Sequence, residues 1–595
     1  MQVFIDKKKD FLEKMILDNI NSPKDLKTLS IKELETLSGE IRQIIIDKSS
    51  KTGGHIASNL GVIELTIALH YVFDMPHDKL IFDVSHQCYT HKILTGRKDA
   101  FICEKNFGDI SNYSNPNESQ YDNFVLGHTS SSISLLCGLM KSRDIIGEQY
   151  NAIAVIGDGS LSGGLAFEGL DNLAEIGTNA IVIVNDNGMS IGENHGGIYS
   201  NLKALRSSKG RAKNNYFKAL NLDYIFEPNG NNIASLIKLF RKVKDINHPV
   251  VLHVVTKKGN GLNFCEDNLE SWHNVRSFDK QTGMQIDAQK DPIITLTQKY
   301  LLKKAKLIPN LVVVTAGTPS VLALNNDIRN ELGTQYIDCG ITEGHTVTYA
   351  ASLAKNGIRP IVPIYSSFVQ RAYDELSQDI GINKSPAVFI LMSASVLKQN
   401  SVTHYGIFDI PLISHIPNIK FLAPKSAKEY LSVLDWAINQ TNEPVVIKAP
   451  AVLNDPSANI THDYSLTNYN VVNLGKDVCI MGLGTFFGLA KDVANNLKSQ
   501  GINASLIDPI FVQSIDTKTL NVLVKTHKLF VTIEDGSLDG GWGQKIATYL
   551  AQFSIKTLTY GVKKGFYDNY DMNKLLKENR LNTSDICQDI VNNML

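Results

Sequence analysis

The sequence predicts an α/β protein of three consecutive domains, each with a mainly parallel sheet flanked by helices. Three observations carry this. Short apolar runs of strand length alternate with helical segments along the chain. At 595 residues the chain is long enough for about two to four domains, each with its own core. Two polar stretches, near 280–295 and 454–468, then divide it into domains over 1–285, 295–453 and 468–595.

Composition narrows the function. Hydrophobic residues make 43% and charged residues 20%, an ordinary soluble balance. Lys plus Arg number 59 against 60 Asp plus Glu, so no broad positive field favours nucleic acid or an anionic membrane. The seven cysteines are scattered with no CxxC pair, which predicts a reducing compartment and no disulfide framework. The N-terminal MQVFIDKKKDFLEKMI mixes acids with bases and lacks the apolar core of a signal peptide. No apolar run approaches membrane-spanning length. The expectation is a cytoplasmic protein with neither membrane nor nucleic-acid partners.

Taken in order, residues 1–50 repeat apolar positions at helical spacing from Leu26 to Ile45. A glycine-flanked loop, Gly53 to Gly61, carries His55 and opens a helix from Val62 to Tyr71. The strand Leu80 to Val84 ends in Ser85-His86-Gln87, and Gly127-His128-Thr129 precedes another helix. The apolar run Ala152–Ile156 leads into Gly157-Asp158-Gly159, a helix covers Gly163–Ala174, and a second run, Ala180–Val184, delivers Asn185-Asp186-Asn187. Strand, helix, strand brings both loops to one edge of a parallel sheet, where ligands bind. Asp158 and Asn187 are hard oxygen ligands suited to Mg²⁺ that leave positions open for phosphate oxygens. Gly157 and Gly159 let the backbone come close to those phosphates at a helix start. Residues 196–235 hold few apolar positions and read as a loop. The strand Val250–Val255 leads to Lys257 and on to Trp272-His273. In the second domain, a helix over Ile293–Lys306, strands at Leu311–Thr315, Tyr336–Gly340 and Ile361–Tyr365, and the stretch Thr342-Glu343-Gly344-His345 follow in turn. The third domain alternates strands and helices from Val478 onward.

The paired GDG and NDN motifs resemble the thiamin diphosphate (ThDP) signature. GGHIASNLG, FDVSHQCYTHKILTGR, GHTSSSIS, GDGSLSGGLAFEGL and NDNGMSIGENHGG together resemble, in order and spacing, the 1-deoxy-D-xylulose-5-phosphate synthase family of transketolase-like enzymes. The resemblance covers nearly the whole chain. It implies a transketolase-like architecture of diphosphate-binding, pyrimidine-binding and C-terminal domains, with ThDP and Mg²⁺ as cofactors. The implied reaction decarboxylates pyruvate and transfers the two-carbon unit to an aldehyde, and the implied assembly is a homodimer. By the same resemblance the metal is held by Asp158, Asn187 and Met189. The cofactor is contacted by His55, His86, Gly127, His128, Thr129, Gly157, Gly159, Lys257 and Phe368. His55, His273, His404 and Glu343 are the catalytic expectation. Glu343 shares a proton with the aminopyrimidine, so that the cofactor itself becomes the base, and Phe368 stacks on that ring. Ser58, Tyr365, Arg371, Lys398 and His404 are expected at the substrate.

The acceptor half departs from the family pattern. A phosphate-binding Arg is replaced by Ser393, a neighbouring acid by Asn400, and a second acceptor Arg by Ala451. Gly344 stands for the usual Gln, and Glu104 to Gly108 replace a basic, glycine-rich loop. Lys398 and Lys448 restore positive charge at best, without the bidentate geometry of Arg. Each lost Arg–phosphate contact removes roughly 1.5–3 kcal/mol. The expected acceptor is therefore glyceraldehyde 3-phosphate or a different, unphosphorylated or larger aldehyde. The alternatives are two-carbon transfer from a ketose, as in transketolase, and a non-catalytic ThDP-binding paralogue.

Overall fold

The computed structural model describes residues 15–286, 291–398, 401–453 and 463–594. Parts of both predicted linkers, Gln399 and Asn400, and the first 14 residues lie outside these. The chain forms two compact units, Met1–Ala288 and Gln289–Leu595.

The first unit holds a five-stranded, wholly parallel sheet: β1 (Lys79–Phe82), β2 (Ala152–Gly157), β3 (Ala180–Asp186), β4 (Asp223–Glu227) and β5 (Pro249–Val255), in the order β1-β2-β3-β5-β4. Alternation along β3 shows why the run is apolar throughout. Ile181 and Ile183 enter the core with Leu34, Ile41, Leu69 and Phe240, while Val182 and Val184 enter the opposite core with Ile133, Leu170 and Leu202. The first of these cores is built on α1 (Ile31–Thr52), which Ser30 and Glu33 cap reciprocally. Two further helices, α2 (Ile56–Gly61) and α3 (Ile63–Val72), follow it. On the other face lie α4 (Ser132–Ile146), α5 (Gly164–Ile176) and α6 (Gly197–Ser207), and α7 (Ile233–Val243) returns to the first.

Two expectations change. Residues Ile56–Gly61 form a helix rather than loop, so His55 sits at a helix start between α1 and α2 and not after a strand. The 196–235 segment is not a loop: α6, a short helix Tyr216–Ala219 and β4 occupy much of it. Its apolar residues are few, but Leu202, Leu205, Phe217 and Leu222 are spaced to be buried together.

The second unit holds two sheets. One is parallel throughout: β6 (Leu311–Thr315), β7 (Tyr336–Asp338), β8 (Arg359–Tyr365), β9 (Val388–Met392), β10 (Lys420–Leu422) and β11 (Val445–Lys448), in the order β10-β11-β9-β8-β6-β7. The other, β12 (Asn470–Asn473), β13 (Asp477–Leu483), β14 (Ser505–Asp508), β15 (His527–Ser537) and β16 (Lys556–Val562), is mixed, because β12 runs antiparallel to β14. Phe389 of the first sheet and Phe530 of the second share one core with Trp542. Two helices of this unit matter for the site: α8 (Pro292–Leu307) and α9 (Glu343–Lys355). All seven cysteines are unpaired, and no described helix is long and apolar enough to cross a membrane.

Candidate active site

In the first unit β2 and β3 are neighbours in register, with Gly157 opposite Asn185, so the GDG and NDN turns leave the sheet side by side. Asp158 is fully buried, and burial followed by the nearby Asp186 raises its pKa to about 8. Asp186 behaves oppositely. Against the cost of burial, His253 at 2.7 Å and Arg206 hold it ionised, and Gly188 N–H donates to it at 3.1 Å. Asp186 is therefore already satisfied, whereas Asp158 accepts one bond, from Asn194 Nδ2 at 2.9 Å. The Oδ1 of that Asn194 is buried with no hydrogen-bond donor. A cation beside Asp158 would relieve both the carboxylate and this orphaned oxygen. A Cβ added at Gly157 would meet nothing within 4 Å, so the chain itself leaves space at that turn. Gly159 instead packs so closely on Ser190 that a side chain there is excluded. Asn187 Oδ1 accepts Met189 N–H at 3.2 Å, closing the turn that carries both residues. Among the described residues no cluster of three His, Cys, Asp or Glu is built to hold a metal, and a site of one acid plus amide and carbonyl oxygens is the kind left.

Three histidine rings converge in the same unit. His55 lies 5.0 Å from His86 and 5.6 Å from His273 between ring centroids, and His86 lies 5.4 Å from His273. Backbone pairing brings them together: Gly54 and Val275 exchange two hydrogen bonds, and Asn59 Nδ2 donates to the carbonyls of both His55 and His86 at 2.8 Å. Positive φ at Gly53 and Gly54 permits this turn, and a Cβ at Gly53 would strike the Val275 carbonyl. Burial, then the charge of Lys258, drives His55 down to about 4 and His273 well below its ordinary value. Both imidazoles are neutral at physiological pH, and the Nδ1 of each is buried without a hydrogen-bond partner. Such rings are ready to accept or donate a bond to something not part of the chain.

In the second unit Glu343 opens α9 and is 6% exposed. Burial raises its pKa, opposed by the Arg371 guanidinium, whose Nη1 lies 3.7 Å from Glu343 Oε2. Beyond the end of β8 the Phe368 ring packs edge-on against Tyr365 at 5.6 Å and against His404 at 5.5 Å. Thr403 and His404 Nδ1 are 2.9 Å apart. A buried carboxyl whose pKa burial raises and an aromatic platform thus follow β7 and β8, which flank β6 in one parallel sheet.

Comparison with known proteins fits this geometry. A family profile for 1-deoxy-D-xylulose-5-phosphate synthase matches residues 17–214 and 208–256, the transketolase pyrimidine binding domain matches 293–453, and the transketolase C-terminal domain matches 468–586. The 1-deoxy-D-xylulose-5-phosphate synthase of Clostridium acetobutylicum is 37% identical over 97% of this chain and 99% of its own. Those of Clostridium tetani and Dictyoglomus thermophilum are 35% and 38% identical, over 97% and 89% of this chain and 99% and 90% of theirs. The chain belongs to the 1-deoxy-D-xylulose-5-phosphate synthase family. Its fold is transketolase-like, and it is an enzyme of the transferase type.

Several side chains expected at a family active site are engaged by other residues of the chain. Lys257 is exposed and paired with Glu266 at 2.6 Å. Its neighbour Lys258 is the buried one, donating to the Ser190 carbonyl at 2.5 Å, with its pKa lowered to about 8 by burial and drawn back up by Asp158. A one-residue step along an irregular segment exchanges which lysine faces the site, and the Lys-Lys pair holds no cue to choose between them. Ser58 Oγ is engaged by His86 Nε2 at 3.1 Å. Lys398 is committed to Asp291, the N-cap of α8, at 2.7 Å, and so does not stand free for a substrate. Lys448 is buried and holds both oxygens of Asp409 at 2.7 and 3.0 Å. His128 and Thr129 lie in the turn before α4, a turn that Asp83 holds by accepting the Ser130 and Ser132 amides. No strand leads into that turn. Asn59, Tyr113, Asn194, Arg206 and His253 were missed: Asn59 and Asn194 stand in quoted motifs but give no sign of their bonding there, and the others stand outside any motif.

Proposed function

We propose that the protein is a ThDP- and Mg²⁺-dependent carboligase that decarboxylates pyruvate and transfers the two-carbon unit to an aldehyde. The observation that carries the reading is the registered pairing of the GDG and NDN turns around a buried Asp158 that bonds Asn194 and lies beside Asp186. When bound, ThDP supplies the centre that stabilises the carbanion formed on decarboxylation. Asp158, the Asn187 amide oxygen and the Met189 carbonyl would hold the metal, and Lys258, not Lys257, would meet diphosphate oxygens. Gly157 leaves them room. Glu343 retains its proton through burial and donates it to the aminopyrimidine, with Phe368 as the ring's platform. His55 and His273, neutral and each with a buried Nδ1 lacking a partner, and the neighbouring His86 would orient the donor. His404 and Tyr365 would contact the substrate beside Phe368, and Arg371 is the cation next to Glu343.

The acceptor reading follows from commitments already made. Lys398 belongs to Asp291 and Lys448 to Asp409, so neither lysine replaces the arginines absent at Ser393 and Ala451. We therefore read the acceptor as an aldehyde without a phosphate, in an otherwise family-like cytoplasmic homodimer. The test is CO₂ release from pyruvate by the purified protein with ThDP and Mg²⁺. Acceleration by unphosphorylated aldehydes and not by glyceraldehyde 3-phosphate supports the reading. Strong acceleration by glyceraldehyde 3-phosphate, with deoxyxylulose 5-phosphate formed, overturns the acceptor assignment and leaves the carboligase. Absence of CO₂ with any acceptor removes the pyruvate donor.

A further inference from the structure

The proposed chemistry leaves His91-Lys92-Ile93-Leu94-Thr95-Gly96-Arg97 without a task, yet its polar side chains are almost wholly buried. They converge on two acids of a later segment. Arg97 forks onto Asp122 at 2.7 and 2.9 Å, and His91 Nε2 meets the same carboxylate at 2.8 Å. Lys92, with no exposed surface, donates to Glu118 at 2.5 Å, and Arg97 reaches Glu118 at 3.2 Å. Behind them His70 Nε2 and His91 Nδ1 lie 2.9 Å apart. Taking two acids, an arginine and a lysine out of water costs several kcal/mol per ion, so a network of this kind is weak evidence for stability alone.

Each acid has a second partner, and those partners locate the purpose. Glu118 Oε1 accepts the Ser111 amide at 2.6 Å, and Asp122 Oδ2 accepts the Asn115 amide at 2.8 Å. The two carboxylates thus grip both ends of a five-residue segment. Its middle residue, Tyr113, is 7% exposed and packs edge-on against His55, with centroids 5.9 Å apart. On either side, Asn112 accepts the Tyr89 hydroxyl at 3.3 Å and Ser114 N–H donates to Ser85 Oγ at 2.8 Å. The segment therefore also touches the loop that carries His86. Regular structure holds none of residues 107–131, so these bonds define its path.

We propose that His91, Lys92 and Arg97 are positioning residues. Through Glu118 and Asp122 they fix the Ser111–Asn115 segment, and through Tyr113 they fix the orientation of the His55 ring. This rests on His55 serving the donor, as proposed above. A merely structural network would lower the melting temperature and leave turnover by the folded enzyme alone.

The experiment uses the full-length protein with ThDP and Mg²⁺, in the variants Arg97→Lys, Glu118→Gln, Tyr113→Ala and the two doubles with Tyr113→Ala. Glu118→Gln keeps side-chain volume and an acceptor for Ser111, so it decides the matter where Arg97→Lys does not fold. Expected are at least tenfold faster amide exchange confined to residues 111–115 and a roughly tenfold lower kcat for CO₂ release, with KM for pyruvate within twofold. Tyr113→Ala should match that loss, and the doubles should fall no more than twofold below Tyr113→Ala. Unchanged exchange, or losses that multiply in the doubles, overturns the proposal. If the wild-type protein releases no CO₂, the carboligase reading has failed, and exchange at 111–115 alone then decides whether the clamp exists.

Discussion

Replacing Lys448 by Met separates two jobs a lysine at the end of β11 can have. Its ammonium lies 2.7 and 3.0 Å from the two oxygens of Asp409, and the two side chains are 4% and 0% exposed. Glu534 and Asp535, both buried, also feel its charge; burial raises the pKa of each, Glu534 to about 7, and Lys448 opposes the rise. Met fills the volume but leaves Asp409 buried without its cation. Breaking a buried pair from one side costs about 3–5 kcal/mol. That is roughly two to three and a half orders of magnitude in the folded-to-unfolded ratio. Two of the three tryptophans, Trp436 and Trp542, lie in the second unit. Urea unfolding followed by their emission should show a large fall in midpoint. The double variant Lys448→Met with Asp409→Asn should recover at least half of it, because no unpaired charge remains. A loss below about 1 kcal/mol, together with a tenfold rise in KM for a phosphorylated aldehyde, would refute the reasoning. The lysine would then be a substrate ligand and the phosphate site would have been moved rather than lost.

Four further outcomes are expected. Glu343→Gln should lower kcat about 10²–10⁴-fold in steady-state CO₂ release, the usual range for a general acid. The same variant should gain stability over wild type at high pH. Burial raises the folded-state pKa of Glu343 above its unfolded value, so its favourable contribution exists below the unfolded value and is lost as pH rises through the folded one. Thermal melts at pH 5 and pH 8 should thus show a gap that widens with pH, and a gap that narrows is the contrary result. Lys258→Ala should weaken ThDP binding by calorimetry about 10- to 150-fold, with Lys257→Ala within twofold; equal effects would return the role to Lys257. Arg206→Leu, which strips Asp186 of its guanidinium partner, should reduce Mn²⁺ affinity about 10- to 100-fold by electron paramagnetic resonance. Unchanged affinity would show that α6 plays no part at the metal.

Much of the fold was legible because the central strands, such as β2, β3, β6 and β9, are buried on both faces and so appear as apolar runs. The GDG and NDN turns were legible for a further reason: adjacent parallel strands put their loops at one edge, so spacing alone implies proximity. What was not legible is which neighbour of a motif turns inward. Lys257 and Lys258 are chemically identical in sequence, and the choice is made by the turn at Gly259, whose positive φ brings its backbone against Cys265. The segment 196–235 was misread because composition was weighed above placement: four buried side chains are enough to hold α6, β4 and the helix between them. Tyr113 left no trace at all, since a residue in an irregular segment owes its position to bonds its neighbours make, here with Glu118, Asp122, Tyr89 and Ser85.

The two halves of the proposed reaction are held by different physics, and this bears on how one of them has diverged. The donor side is braced by groups that bond backbone: Asn59 ties the carbonyls of His55 and His86, and Asp83 grips the Ser130 and Ser132 amides. Removing any of these leaves buried backbone groups unpaired, so substitutions there cost both stability and geometry. On the acceptor side the retained lysines are satisfied by local acids, Asp291 and Asp409, and need no ligand to be stable. Arginines poised for a phosphate hold like charges together until the ligand arrives. Exchanging them for Ser393 and Ala451 relieves that repulsion in the free enzyme. On the proposed acceptor reading, changes at Ser393 and Ala451 leave no buried group unpaired, whereas changes at Asn59 or Asp83 would.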